Sequence, residues 1–307
     1  MVPSGPNFAD RLLEAIAKKG SPVCVGLDPV YEHLPSALGT PTADLAARVE
    51  AIEAFCRGVI EAAAPHAPAV KPQIAYFERY GPAGVAAYYR TVAAARQAGL
   101  IVIGDVKRGD IGPTAQAYAD AHLRAPSQAA GGWSAAPDAV TVNGYFGGDG
   151  LQPFIDAARE QAGGIFVLVR TSNPGGAAVQ DFLGADGKKF FIHLAELVAR
   201  LGDGDGLVGR CGYSCVGAVV GVTYPQEARL LRQVMPRQIF LVPGYGAQGA
   251  TAADCAAAFD ADGRGAIVNA SRSVLYAFAK RTDVPWQKAV AQAAQAFAAD
   301  VAGALDG

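Results

Sequence analysis

Four apolar residues, Leu100 to Ile103, lead directly into Gly104-Asp105-Val106-Lys107-Arg108-Gly109-Asp110-Ile111, with Thr114 just beyond. An uninterrupted apolar run of this length suits a strand buried on both faces, and the abrupt arrival of charge marks its end. Side chains alternate along a strand, so Asp105 and Lys107 share one face while Val106 and Arg108 take the other. Gly109 lets the chain turn and carries Asp110 out of that alternation, toward the same lysine or toward a partner's. A lysine flanked by carboxylates stays protonated and can serve as a proton donor. The same residues also suit an ordinary ion pair at a strand mouth, and the rest of the chain must decide between the two.

Short apolar or β-branched runs recur at Val23–Leu27, Ala69–Lys71, Ile101–Val106, Ala139–Val142, Ile165–Val169, Ala218–Val222, Ile239–Val242 and Ala266–Val268. Helical segments lie between them, which is the pattern of parallel βα units. Eight such units predict a closed (β/α)8 TIM barrel rather than an open doubly wound sheet. Leu45, Val49, Ile52, Cys56 and Val59 repeat at three and four residues, giving one apolar stripe to pack on the barrel's outside. Further helices are predicted at Val85–Ala98, Ala115–Leu123, Leu151–Gln161, Phe190–Leu201, Gln226–Val234 and Trp286–Ala302. Phe8–Lys18 reads as an extra helix over the barrel's bottom, and Thr251 with Asp254 as a capping box after the seventh strand. No linker-like stretch interrupts residues 1–307, which are read as one barrel domain. Arg124–Pro137 is an insertion at the bottom, whereas Asn173–Lys189 follows the fifth strand and can fold over a ligand on the top face.

Bulk properties narrow the classes. The chain is 51% hydrophobic and 18% charged, with a formal net charge of −2. That describes a soluble globular protein without the basic field that nucleic acid requires, so any phosphate contact is local. Met1–Lys19 lacks the look of a secretory signal, and no apolar run approaches the ~18 residues that span a bilayer. A cytoplasmic protein with no membrane partner is expected. Cys24, Cys56, Cys211, Cys215 and Cys255 are odd in number and scattered, as free thiols are. Neither they nor the four histidines show metal-ligand spacing, and no metal site is expected.

In such a barrel the C-terminal strand ends form the site. Here they carry Asp28, then Lys71-Pro72-Gln73, the Asp105/Lys107/Asp110 cluster, Asn143-Gly144, Arg170-Thr171-Ser172-Asn173-Pro174-Gly175 and Thr223. Burying a charge costs roughly several kcal/mol per ion unless it is paired, so two lysines and two or three carboxylates aimed into one mouth point to function. The last two strands end in Pro243-Gly244-Tyr245-Gly246-Ala247-Gln248-Gly249 and Asn269-Ala270-Ser271-Arg272. Gly-rich turns at this place hold phosphate through backbone N–H groups, and Arg272 adds a fork for two phosphate oxygens.

Together these residues resemble the orotidine 5′-phosphate decarboxylase family, in its longer bacterial branch. The resemblance rests on Asp105-x-Lys107-x-x-Asp110-Ile111 with Thr114, on Leu27-Asp28, Lys71-Pro72, Ser172-Asn173-Pro174-Gly175, the Pro243–Gly249 turn and Ser271-Arg272-Ser273. It spans the first strand to the eighth. It implies cofactor-free conversion of orotidine 5′-monophosphate to uridine 5′-monophosphate, in a homodimer whose sites lie at the subunit interface. By matching position, Lys107 is the proton donor to C6 and Asp105 sits beside the departing carboxylate. Asp110 and Thr114 reach into the partner's site, and Asp28 and Lys71 hold the ribose and complete the charge network. Ser172 and Gln248 bind the pyrimidine, while Gln248, Gly249 and Arg272 bind phosphate. Two departures concern loop packing: Tyr245 is bulky for its turn, and Ala270-Ser271 stand where many relatives carry Gly. The nearest rival is a magnesium-dependent sugar-phosphate decarboxylase or synthase of the same barrel group, which shares Asp-x-Lys-x-x-Asp. An aldolase with a Schiff-base lysine and a phosphate-ligand-binding barrel without catalysis are the others.

Overall fold

The computed structural model describes residues 5–39, 43–124, 135–246, 249–281 and 283–305. Eight parallel strands close a barrel in chain order: β1 Val23–Leu27, β2 Ala69–Pro72, β3 Ile101–Arg108, β4 Ala139–Asn143, β5 Gly164–Arg170, β6 Ser214–Val220, β7 Gln238–Val242 and β8 Ala266–Ala270. Val23 pairs with Val268 and so joins the first strand to the last. Every residue of β1, β2, β6, β7 and β8 is buried, as a parallel sheet wrapped by helices requires.

The predicted helices are present, and several begin earlier than their apolar periodicity indicates. The helices Gly81–Gln97, Gly112–Leu123 and Pro225–Val234 each have Pro in the first turn. Proline suits that place because its ring fixes φ near the helical value and its missing N–H would go unused there. Thr251 and Asp254 form the expected capping box, on a short helix, Ala252–Ala256. Most of the Arg124–Pro137 insertion lies outside the described residues. β6 departs from the expected Ala218–Val222. It begins at Ser214, whose buried hydroxyl donates to Gly202 O at 2.7 Å and accepts from Val216 N at 3.0 Å. Polar and glycine residues before Ala218 hid this start. Thr223 consequently falls in the loop and is exposed.

The N-terminal helix, Phe8–Lys19, starts at Asn7, whose side chain accepts from Ala9 N, and stops at Gly20, whose φ of 70° permits the left-handed cap. Phe8 plugs the barrel's bottom. It is 1% exposed, meets Phe166 edge-to-face at 5.9 Å, and occupies the space that a side chain on Gly164 would need. Arg11 ties the same helix to Asp138, ahead of β4, at 2.6 Å. Phe8→Ala should therefore lower the unfolding free energy by about 3–5 kcal/mol, read from urea denaturation. An unchanged midpoint would mean that the helix is a loose appendage.

Candidate active site

The charged residues meet where β2, β3 and β4 end. Gly104 lets β3 approach closely: a Cβ there would lie 2.7 Å from Tyr88 Oη and 2.9 Å from Pro137 Cγ. Beyond it, Asp105 is only 5% exposed. Its Oδ2 accepts from Lys71 Nζ at 2.6 Å and Gln73 Nε2 at 2.9 Å. Its Oδ1 accepts from Lys107 Nζ at 2.5 Å and Thr141 Oγ1 at 2.9 Å. One carboxylate thus receives four donors from four side chains. Lys71 is buried, whereas the Lys107 side chain is 47% exposed and reaches into the open mouth.

Burial alone would push the Asp105 carboxyl up. The cations of Lys71 and Lys107 outweigh it and hold the group well below the usual carboxylate range. For Lys71 burial acts in the opposite direction, against the ammonium. Asp105 and then Asp28 overcome it and hold Lys71 above the ordinary lysine value.

Asp28, Lys71, Asp105, Lys107, Ser172 and Arg272 border one cavity of about 350 Å³. Leu168, Val219 and Leu241 supply an apolar wall. Tyr276 fixes the β1 end, donating to Asp28 O at 2.9 Å and accepting from Val30 N at 2.8 Å. Asp28 Oδ1 and Asn269 Oδ1, both buried, lack a hydrogen-bond partner among the described residues. Buried acceptors of this kind suit a bound polar ligand. The sequence alone assigns no role to Asn269, Gln73, Thr141 or Tyr276. Asn269 and Gln73 were visible as strand-end polar residues, but Thr141 and Tyr276 carried no comparable signal.

In the turn after β7, Gly244 and Gly246 have φ of 100° and 68°, which its sharp course requires. The two departures are both accommodated. Tyr245 turns toward the helix Trp286–Gly303, where its ring meets Phe297 at 4.6 Å and its hydroxyl donates to Asp300 at 2.5 Å. Ser271 fits because Gly26 has no side chain, and a Cβ there would collide with the serine hydroxyl. Gly249 is exposed, with φ of 87°, and does not line the cavity. Gln248 lies outside the described residues.

Asp110 and Thr114 do not line their own chain's cavity. Asp110 Oδ1 accepts from the Ile111 amide at 2.8 Å, and Thr114 is exposed on the first turn of Gly112–Leu123. Nearby, Ile111, Tyr145 and Phe146 are 55%, 72% and 41% exposed. β3 ends at Arg108, so the chain leaves the strand at Gly109 as expected. Lys107, not Gly109, takes the left-handed conformation, with φ of 45°. Gly109 is needed for proximity, since a Cβ there would sit 3.0 Å from Asn143 Cβ and 3.1 Å from Asn143 O.

The segment 173–189 is tethered at its base. Arg170, 4% exposed, donates to Glu227 at 2.8 Å, pairs with Asp181 at 2.8 Å and stacks on Phe191 at 4.8 Å. Lys189 adds a contact to Glu227 at 3.2 Å.

Asp105→Asn keeps the shape of the central group and removes its charge. It should cost about 3 kcal/mol at pH 7 by urea unfolding, because Lys71 remains buried with a weaker partner. The depressed Asp105 value means that its stabilisation is complete above the unfolded value near 4 and is lost as pH falls through the folded value. The gap between parent and variant should therefore stay constant from about pH 5 to 9 and narrow below about pH 4. A gap that closes near neutrality would contradict the paired arrangement.

The family model described as "Orotidine 5'-phosphate decarboxylase / HUMPS family" matches residues 21–284. An orotidine 5′-phosphate decarboxylase of Rhodopirellula baltica is 46% identical over 298 residues, covering 92% of this chain and 95% of that protein. One from Deinococcus radiodurans is 44% identical over 272 residues, covering 89% and 90%. The solved structure of Leishmania donovani OMP decarboxylase superposes with a TM-score of 0.74 at 31% identity, covering 98% and 99%. With the match running through all eight strands and at this level of identity, the chain belongs to the orotidine 5′-phosphate decarboxylase / HUMPS family.

Proposed function

We propose that this enzyme decarboxylates orotidine 5′-monophosphate to uridine 5′-monophosphate in pyrimidine biosynthesis, in the cytoplasm, without a cofactor. The observation that carries the reading is the Lys71–Asp105–Lys107 array, set in the same cavity as Arg272. Breaking the bond from C6 to the carboxylate leaves the electron pair on a carbon with no adjacent electron sink, and carbon dioxide departs. A cation placed at that carbon lowers the barrier. Lys107 supplies it, transfers one proton from Nζ to C6, and regains a proton from solvent. Asp105 sits beside the departing carboxylate and holds both lysines. Asp28 and Lys71 take the ribose, Ser172 takes the pyrimidine with Gln248, and Arg272 takes the phosphate with Gln248, Gly249 lying on the turn outside the cavity. Binding energy from that remote phosphate serves the reacting centre. Segment 173–189, with Val179, Phe182 and Leu183 exposed along it, is the cover that excludes water.

The active form is a homodimer in which Asp110 and Thr114 complete the partner's site. Their position outside their own cavity and the exposed Ile111, Tyr145 and Phe146 beside them support this reading.

The fall in ultraviolet absorbance of orotidine monophosphate, followed with purified protein and a chelator, tests the activity. Turnover is expected. No turnover, with metal-dependent turnover of a sugar phosphate instead, would place the chain on the other branch of its family. Arg272→Ala should lower kcat/KM by about 10- to 150-fold, the worth of a charge-assisted hydrogen bond to phosphate. An unchanged kcat/KM would remove Arg272 from the phosphate site. For the dimer, inactive Asp105→Ala and Asp110→Ala chains are mixed. Half the dimers are then mixed and one of their two sites is intact, so roughly a quarter of parental activity should return. No recovery despite subunit exchange would exclude Asp110 from the partner's site.

A further inference from the structure

Thr141 lies opposite an irregularity in the barrel. Gly104 pairs with Val140 and Arg108 pairs with Val142. Between those pairs Asp105, Val106 and Lys107 of β3 face Thr141 alone. A bulge of this kind leaves backbone groups without their ladder partners and re-aims the side chains beside it. Lys107 pays for the excursion with a left-handed φ of 45°, a conformation that a residue with a side chain keeps only when its surroundings impose it.

The Thr141 hydroxyl does the imposing. Its Oγ1 accepts from the Lys107 backbone N–H at 3.0 Å and donates to Asp105 Oδ1 at 2.9 Å. The direction of both bonds is forced, since an amide N–H can only donate and an ionised carboxylate can only accept. Thr141 is 1% exposed yet lines the cavity, so this single oxygen joins the backbone of one charged residue to the carboxylate of the other inside the site. Gln73 and Lys71 hold the opposite carboxylate oxygen and make no comparable bond to Lys107.

We propose that Thr141 is a positioning residue for the proton transfer. It sets the Lys107 backbone and the Asp105 carboxylate in register, so that Lys107 Nζ is aimed at the reacting carbon before substrate arrives. This rests on the reading that Lys107 protonates C6, and it adds a residue whose loss acts on the chemical step rather than on binding.

Thr141→Val preserves the shape and deletes the hydroxyl, Thr141→Ala deletes it without adding bulk, and Thr141→Ser keeps it. For the first two, kcat should fall roughly 100-fold, the scale of a misplaced catalytic group, while KM and the affinity for uridine monophosphate stay close to parental. The serine variant should recover most of the parental kcat. Hydrogen exchange gives a readout independent of turnover: the Lys107 amide should lose protection in the valine and alanine variants and keep it in the serine variant. Parental kcat in a folded valine or alanine variant would overturn the proposal. So would a loss spread equally over kcat, KM and melting temperature that serine fails to rescue. If the hydroxyl-free variants do not fold, a protected Lys107 amide and near-parental kcat in the serine variant support the proposal, and an unprotected amide overturns it. Failure of the parental protein to turn over orotidine monophosphate would instead count against the activity, leaving the exchange result to judge the positioning.

Discussion

The arrangement depends on a carboxylate held in a buried place between two ammonium groups. Lys71 could not sit buried in the barrel mouth alone, because removing a charge from water costs roughly several kcal/mol that only a close, well-bonded partner offsets. Asp105 offsets that cost with one oxygen on Lys71 and holds the half-exposed Lys107 with the other. Its two remaining bonds, from Gln73 and Thr141, fill the acceptor positions that the lysines leave open. The result is a cation presented to the cavity and held in direction by its bond to Asp105. Such preorganisation is what electrostatic stabilisation of a developing carbanion demands.

The scaffold serves that constraint with a departure from ideal strand geometry where the charges sit. Along β3 the departure is the bulge at Lys107, accommodated by Thr141 from β4 and by the close approach of Gly109 to Asn143. At the opposite side of the mouth, Gly26 on β1 makes room for Ser271 after β8, and Tyr245 leans away onto the last helix. These close approaches shape the mouth, and Phe8 fills the opposite end of the barrel. A rigid barrel carrying irregular C-terminal loops is how this architecture separates stability from chemistry.

Much of this could be read from the residues. Continuous apolar runs such as Ile101–Ile103 and Ile239–Val242 declare buried parallel strands, and their count closes the barrel. The charged strand ends and the glycine-rich turn before Arg272 announce the two halves of the site. What escaped reading was conformational. A lysine at positive φ has no sequence mark, since glycine is the usual occupant, and Gly109 nearby offered a more conventional place for the turn. Thr141 looks like any β-branched strand residue until the register shift shows that its hydroxyl faces the bulge. The early start of β6 was hidden because Ser214 and the glycines around it interrupt the apolar run, although the serine satisfies its own polar group locally.

The central claim is that Lys107, held by Asp105, is the proton source, and its most direct test is Lys107→Ala. The variant should bind uridine monophosphate with affinity near that of the parent, because Lys71, Asp28 and Arg272 remain. It should lose decarboxylation of orotidine monophosphate by several orders of magnitude, measured by single-turnover absorbance. Full decarboxylation by the folded variant would contradict the account.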